Sequence, residues 1–289
     1  MYAITGITGN VGSELARTLL AAGQRVRGIV RDAKKGEEWA ARGCSIALAT
    51  MEDTAALTSA FEGATGVFIL APPDFDPEPG YRRARQVIDT IEKAVRAGQP
   101  GKVVCLSTIG ADAASENLLS PRTWLEASLR ALPMPLTLLR PAWFLENAAW
   151  DVTSALQTGL IHSFLQPLDK AFPMVSAKDV GRTAANLIQE DWTGERVVEL
   201  EGPRRVSPND LAGAFARALR SPVRATAVPR ESWEGLFREQ GMKNPMPRMR
   251  MLDGFNEGWI EFQDRGTKAV KGQTSIDAVV AALVSRANA

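Results

Sequence analysis

The chain opens on a short apolar run, Tyr2-Ala3-Ile4-Thr5, that passes straight into Gly6-Ile7-Thr8-Gly9-Asn10-Val11-Gly12. A helical stretch follows, Ser13 to Ala22, closed by Gly23. Strand, glycine-punctuated turn and helix in that order make a βα unit whose turn presents bare backbone. The first glycine permits the sharp turn, the second lets an anion approach the main chain, and the third lets helix and strand pack closely. Free N–H groups and the positive end of the helix dipole then face one point, which suits a pyrophosphate. The spacing is GxxGxxG rather than GxGxxG, so its weight comes from placement: a second strand, Val26-Arg27-Gly28-Ile29-Val30, follows the helix at once. An ordinary tight βα turn is the competing reading.

The residues after that second strand distinguish between dinucleotides. A carboxylate there bonds the adenosine ribose hydroxyls of NAD(H), whereas an arginine accommodates a 2′-phosphate. This chain places Arg31 there, with Lys34 and Lys35 close behind. A planar guanidinium fork and mobile ammonium groups suit NADP(H) better than NAD(H). Asp32 is the counterweight, since it could turn inward to the ribose, and a solvated basic turn is the plain alternative.

Strand and helix continue to alternate. Gly36 to Arg42 reads as helix, Cys44 to Ala49 as strand, Asp53 to Phe61 as helix and Gly66 to Ala71 as an apolar strand. Pro79 to Ala97 carries a helical period, Val103 to Leu106 is a strand, Pro121 to Ala131 a helix and Leu136 to Leu139 a strand. Right-handed crossovers make such a series a doubly wound parallel sheet, the Rossmann type of α/β fold. Past Arg140 the regularity loosens into a smaller C-terminal α+β lobe with short strands, Arg196 to Leu200 and Val223 to Val228. We expect a dinucleotide-binding domain over 1–150 and a substrate or lid lobe over 151–289, some of whose segments return to the first domain. The Met-rich stretch Met242 to Phe262 either packs that lobe's core or walls a pocket.

Composition excludes several classes. Basic and acidic residues nearly balance at a formal charge of +1, which offers no field for nucleic acid or an anionic membrane. No apolar run is long enough to span a bilayer, and no leader precedes the first strand, so a cytoplasmic protein is expected. Cys44 and Cys105 lie in apolar runs and read as buried thiols rather than a disulfide or metal pair. The single histidine, His162, has no ligand set around it, so no metal is expected. A homodimer is compatible with the chain.

In open α/β sheets ligands bind beyond the carboxyl ends of the strands. Those ends supply Ala71-Pro72-Pro73-Asp74-Phe75, Ser107-Thr108-Ile109-Gly110 and Arg140-Pro141-Ala142-Trp143-Phe144. Five pieces together carry a resemblance: Thr5 to Gly12, Val67 to Pro73, Leu106-Ser107-Thr108, Leu139 to Asn147 and Phe172 to Val180. With these the chain resembles the NmrA-like group of atypical short-chain dehydrogenase/reductases, most of all members related to ergot-alkaloid reductases and NADPH-dependent quinone oxidoreductases. The resemblance implies a Rossmann domain, an NADP(H) site and a substrate cleft against the C-terminal lobe. Gly6, Thr8, Gly9, Asn10, Val11 and Gly12 would hold the phosphates, and Arg31 and Lys35 the 2′-phosphate. Ala71, Pro72, Pro73, Ser107, Pro141 and Phe144 would flank the rest of the cofactor. Trp143, Phe144, Asn147, Met246, Met249, Phe255 and Trp259 would line the substrate pocket.

The departures set the chemistry. The wider superfamily's Tyr-x-x-x-Lys pair falls on Arg122-Thr123-Trp124-Leu125-Glu126, and the two tyrosines, Tyr2 and Tyr81, stand elsewhere. Thr50 replaces the aspartate that relatives place beside the adenine. Without a tyrosine acid the expected reaction is hydride transfer to a small, apolar, electron-poor acceptor: a quinone, an activated enone or an imine. Ser107 or Thr108 would steady a developing oxyanion, and Glu126 would pair with Arg122 one helical turn back. The alternative is a non-catalytic NADP(H)-binding sensor that acts through a protein partner.

Overall fold

The computed structural model describes residues 1–266 and 268–287. Compact packing divides them into two units: Met1–Ala111, Leu119–Arg140 and Val180–Val198 form the first, and Asp112–Leu118, Pro141–Asp179 and Glu199–Ala289 the second. The division falls between Arg140 and Pro141, so residues 141–150 group with the later segments.

The first unit alternates strand and helix: β1 (Tyr2–Thr5), α1 (Asn10–Ala21), β2 (Val26–Val30), α2 (Ala33–Ala41), β3 (Ser45–Leu48), α3 (Thr54–Phe61) and β4 (Gly66–Ile69). It continues through α4 (Arg82–Gly98), β5 (Val103–Leu106), α5 (Ser120–Arg130) and β6 (Leu136–Pro141). Helix α1 begins at Asn10, a turn earlier than Ser13, because the glycine loop itself winds into it. The second unit contributes β7 (Trp143–Phe144), a 3-10 turn (Leu145–Asp151), α6 (Val152–Thr158), β8 (Leu160–Ser163) and β9 (Met174–Val175). Helix α7 (Ala177–Gln189) and β10 (Glu195–Glu201) follow, each crossing the division, then α8 (Pro208–Leu219), β11 (Arg224–Ala227), α9 (Trp233–Glu239), α10 (Met246–Glu257), β12 (Val270–Lys271) and α11 (Ile276–Ala287).

Among the described residues the main sheet runs β12-β10-β6-β5-β4-β1-β2-β3. Its recorded pairings are parallel, with β1 between β2 and β4. Strand order therefore reverses at β1, which makes the carboxyl ends of β1 and β4 the switch point at which open sheets of this kind bind ligands. The strand at Arg196–Leu200, expected in the smaller lobe, instead joins this sheet beside β6. Its neighbour explains why: Leu136 N–H donates to the Gly194 carbonyl at 2.9 Å, which sets the register as β10 begins.

Alternation along the strands sorts the core. Val67 and Ile69, Val103 and Cys105, and Leu136 and Leu138 share one face and bury against Leu57 and Phe61 of α3, Ile91 and Val95 of α4, and Leu125 and Leu129 of α5. On the opposite face Gly66 lies against Ile188 of α7, and Gly181 of α7 lets that helix close onto Val11 and Glu14 of α1. Both cysteines are buried free thiols, as their apolar setting implied, and burial pushes Cys105 up to about 12.

Within the second unit, β8 pairs with β11 and β7 with β9. Met249, Met251, Leu252 and Phe255 of α10 are buried, so most of the Met-rich stretch packs this unit's core, while Met246 stays exposed.

Candidate functional site

The glycine loop after β1 carries the clearest geometry. Gly6 adopts φ +68°, a left-handed turn that a side chain resists. Gly9 N–H closes onto the Gly6 carbonyl at 3.0 Å. A Cβ at Gly12 would lie 2.2 Å from that same carbonyl oxygen, so the third glycine is required by the loop's own folding. Gly9 differs. Its φ of −90° suits any residue, and a Cβ there would meet nothing closer than 3.4 Å. The protein's internal packing thus accounts for Gly6 and Gly12 but leaves Gly9 open to something approaching from outside. Gly9 is also the N-cap of α1, without a side-chain cap and with no acidic residue in the first turn. The helix start, with Thr8 and Asn10 exposed and Val11 buried behind them, therefore offers uncommitted amides to an anion.

At the end of β2, Arg31, Lys34 and Lys35 are exposed, and among the described residues none of their side chains has a hydrogen-bonding or ionic partner. Asp32 does not turn inward. It caps α2, and its carboxylate accepts the Lys34 N–H at 2.9 Å. The sequence left Asp32 as a rival for the ribose; the helix start engages it instead. Thr50 is exposed.

The loop after β4 is held from two sides. Thr5 Oγ1 donates to the Phe68 carbonyl at 3.1 Å and accepts the Leu70 N–H at 2.7 Å, which locks the ends of β1 and β4 together. Arg122 of α5 donates to the Ala71 carbonyl at 2.9 Å, just ahead of exposed Pro72 and Pro73. Burial lowers the Arg122 pKa from its ordinary value.

Arg122 does not pair with Glu126, contrary to the helical-turn expectation. Glu126 turns to the strand ends instead. Ser107 follows Cys105 by two residues and Arg140 follows Leu138 by two, so strand alternation points both toward α5. There Ser107 Oγ donates to Glu126 Oε1 at 2.5 Å, while Arg140 Nε and Nη2 grip the two carboxylate oxygens at 2.9 and 2.7 Å. Arg130 adds a contact at 3.3 Å. Glu126 is 1% exposed and Arg140 3%, a buried ion pair with a serine attached. The correction has a physical cause: a buried carboxylate requires a fixed countercharge, and the two-pronged grip of Arg140 supplies it. Thr108, half-buried beside Ser107, has no hydroxyl partner among the described residues. Neither tyrosine reaches this place. Tyr2 is buried in β1, and Tyr81 lies buried with its ring edge-on to Trp124 at 5.2 Å.

In the second unit Pro141 is buried, and Trp143 and Phe144 are half-buried on β7, with Trp143 edge-on to Phe255 at 5.2 Å. Asn147 is half-buried, Met249 and Phe255 are buried, and Trp259 donates its indole N–H to Glu257 at 2.9 Å. Two groups here were not anticipated from sequence. Burial pushes the Asp151 carboxyl up to about 6. Arg248 lies over the Phe237 ring at 4.4 Å and near Trp150 and Phe164, and burial lowers its pKa. Among the described residues no group of metal-binding side chains forms, and no helix is long and apolar enough to cross a membrane.

The geometry fits a dinucleotide: an open glycine, uncapped helix amides beside it and unpaired cations at the end of β2. Several known proteins are similar to this chain. NAD(P)H azoreductase of Xenophilus azovorans is 27% identical over 261 residues, 89% of this chain and 85% of its own length. Quinone oxidoreductase 2 of Escherichia coli (strain K12) is 27% identical over 219 residues, 75% of this chain and 74% of its own. The fold superposes on the crystal structure of the NADPH-dependent quinone oxidoreductase QOR2 of Escherichia coli complexed with NADPH at TM-score 0.81, with 23% identity, over 98% of this chain and 99% of that one. Residues 2–283 match a single family model from the first strand to the last helix, and the chain belongs to the NmrA-like family.

Proposed function

We propose that this protein is an NAD(P)H-dependent oxidoreductase, with NADP(H) preferred, that reduces a small, apolar, electron-poor acceptor such as a quinone, an activated enone or an imine. The observation that carries this is the start of α1, where Gly9 is left open by the protein's own packing and the helix amides lack a cap. Gly6 to Gly12 would hold the pyrophosphate. Arg31 and Lys35 would hold the 2′-phosphate, a role favoured by their free side chains and by Asp32 being occupied as a cap. A reduced nicotinamide, when bound, supplies the hydride.

The chain's own residues then have a limited task. Ala71, Pro72 and Pro73 present a stiff loop, fixed through Thr5 and Arg122. The Thr108 hydroxyl has a proton to offer to negative charge as it develops. General-acid assistance is worth about 10²–10⁴-fold, so an enzyme without a tyrosine acid serves activated acceptors and not simple ketones. The named relatives reduce azo compounds and quinones by their names, which supports that class.

The test is NADPH consumption at the nicotinamide absorbance band against quinones, enones, imines and simple ketones. Turnover of the first three classes but not the last is expected. Tight NADPH binding with no turnover of any acceptor would overturn the reading in favour of a sensor with a protein partner.

A further inference from the structure

We propose that Glu126, clamped by Arg140, is a positioning residue that fixes the Ser107 hydroxyl as a hydrogen-bond acceptor for the carboxamide N–H of a bound nicotinamide. This rests on the dinucleotide reading of the site.

A free serine hydroxyl rotates and serves as donor or acceptor by turns. Ser107 is not free. The Glu126 carboxylate faces Arg140 in a two-pronged ion pair, so it is an acceptor, and the proton shared with Ser107 at 2.5 Å comes from the serine. That commits the one hydroxyl proton and leaves only lone pairs on the oxygen of a residue that is 6% exposed at the carboxyl end of β5. Ser107 is therefore not the group that steadies an oxyanion; an oxyanion beside its lone pairs would be repelled. What it can hold is an N–H or O–H donor.

Position selects the donor. Ser107 closes β5, and the sheet order places β5 two strands from β1 and its glycine loop. Strands lie about 4.8 Å apart, so the two points are separated by roughly 10 Å along the carboxyl edge. A nicotinamide riboside spans that distance from its phosphate. Its carboxamide carries a carbonyl at one end and an NH2 at the other, and a site with only lone pairs accepts one of the two orientations. Fixing the carboxamide fixes the rotation of the ring and hence the face from which hydride leaves. The ion pair has a second effect. Arg140 and Arg130 both contact Glu126, so the carboxylate's charge is compensated and Ser107 does not sit beside a bare anion.

The experiment compares NADPH with its reduced 3-acetylpyridine analogue, in which a methyl group replaces the carboxamide NH2. Dissociation constants are measured by tryptophan fluorescence quenching, without any acceptor present. The native protein is expected to bind NADPH about tenfold more tightly, the worth of one such hydrogen bond. In Ser107→Ala the two constants become equal. In Glu126→Gln the side-chain amide donates to Ser107, the serine proton turns outward, and the preference shrinks or reverses. Equal affinities in the native protein, or a preference that survives Ser107→Ala, would overturn the proposal while leaving the dinucleotide site standing. Failure of the native protein to bind either dinucleotide would overturn the site itself and this proposal with it. Should Glu126→Gln not fold, Ser107→Ala, which removes one oxygen atom, decides the matter alone.

Discussion

Two glycines three residues apart are expected to respond in opposite ways to the same added methyl group. At Gly12 a Cβ would lie 2.2 Å from the Gly6 carbonyl oxygen, 2.7 Å from its carbon and 3.0 Å from Ile7 Cα. All three are backbone atoms, so the loop must shift by about 1 Å to restore ordinary contact. Overpacking of this kind costs about 1–3 kcal/mol, and with no flexible side chain to yield the upper end applies. Gly12→Ala should lower the thermal midpoint by about 5 °C in a chain of this size. At Gly9 the nearest atom is 3.4 Å away and the backbone is already allowed for alanine. The lost N-cap preference and the gain from a stiffer unfolded chain are each below about 1 kcal/mol and oppose one another. Gly9→Ala should therefore melt within about 2 °C of the native protein. Its methyl group, however, stands where a phosphate would approach the amides. Loss of one charge-assisted contact should weaken NADPH binding about 10- to 100-fold. Differential scanning fluorimetry and a fluorescence titration on both variants make the test. Native-like NADPH affinity in Gly9→Ala would refute the phosphate assignment, and native-like stability in Gly12→Ala would refute the loop packing.

Arg31→Glu should weaken NADPH binding at least about tenfold and leave NADH binding within a factor of two; equal losses for both would remove Arg31 from the 2′-phosphate. Thr108→Val should lower kcat about tenfold with quinone acceptors while the NADPH dissociation constant stays unchanged, and an unaltered kcat would show that the hydroxyl faces no developing charge. Thr5→Val leaves the Leu70 N–H without its acceptor and should cost about 1–3 kcal/mol in urea unfolding. Burial raises the Asp151 carboxyl to about 6, so the folded state holds that proton more tightly than the unfolded chain does. The resulting stability is complete below the unfolded value near pH 4 and is lost as pH rises through about 6. Asp151→Asn should thus match the native protein at pH 4 and exceed it at pH 8 by up to about 3 kcal/mol, read from melting at both values.

Local order made much of the molecule legible. A βα turn is built from residues that follow one another, so the glycine loop, the following helix and the alternation of strands through Leu139 can be read along the chain. Gly6, with its positive φ, and Gly12, pressed against the Gly6 carbonyl six residues earlier, are both consequences of a seven-residue segment. The basic residues after β2 are legible for the same reason. Asp32 is partly so: a carboxylate two residues before Lys34 can cap a helix, but whether it does so depends on where α2 begins.

The pairings around the buried carboxylate were decided elsewhere. Glu126 stands four residues from Arg122, and the helical period makes them neighbours, yet the carboxylate goes to Arg140 on another strand and to Ser107 on a third. Strand alternation could have placed Ser107 and Arg140 on the face toward α5, but not the meeting of three elements around one buried charge. Strand β10 was legible as a strand and not as a member of the main sheet, because its partner, β6, lies more than fifty residues earlier. The Met-rich stretch of α10 had the composition of either a wall or a core, and burial of Met249, Met251 and Phe255 made it core. The βα unit, its glycine turn and the lack of a tyrosine in the Arg122–Glu126 stretch follow from residue type and short spacing alone. Which buried carboxylate holds which hydroxyl depends on the folded chain, because a desolvated charge is satisfied by whichever countercharge the fold brings to it.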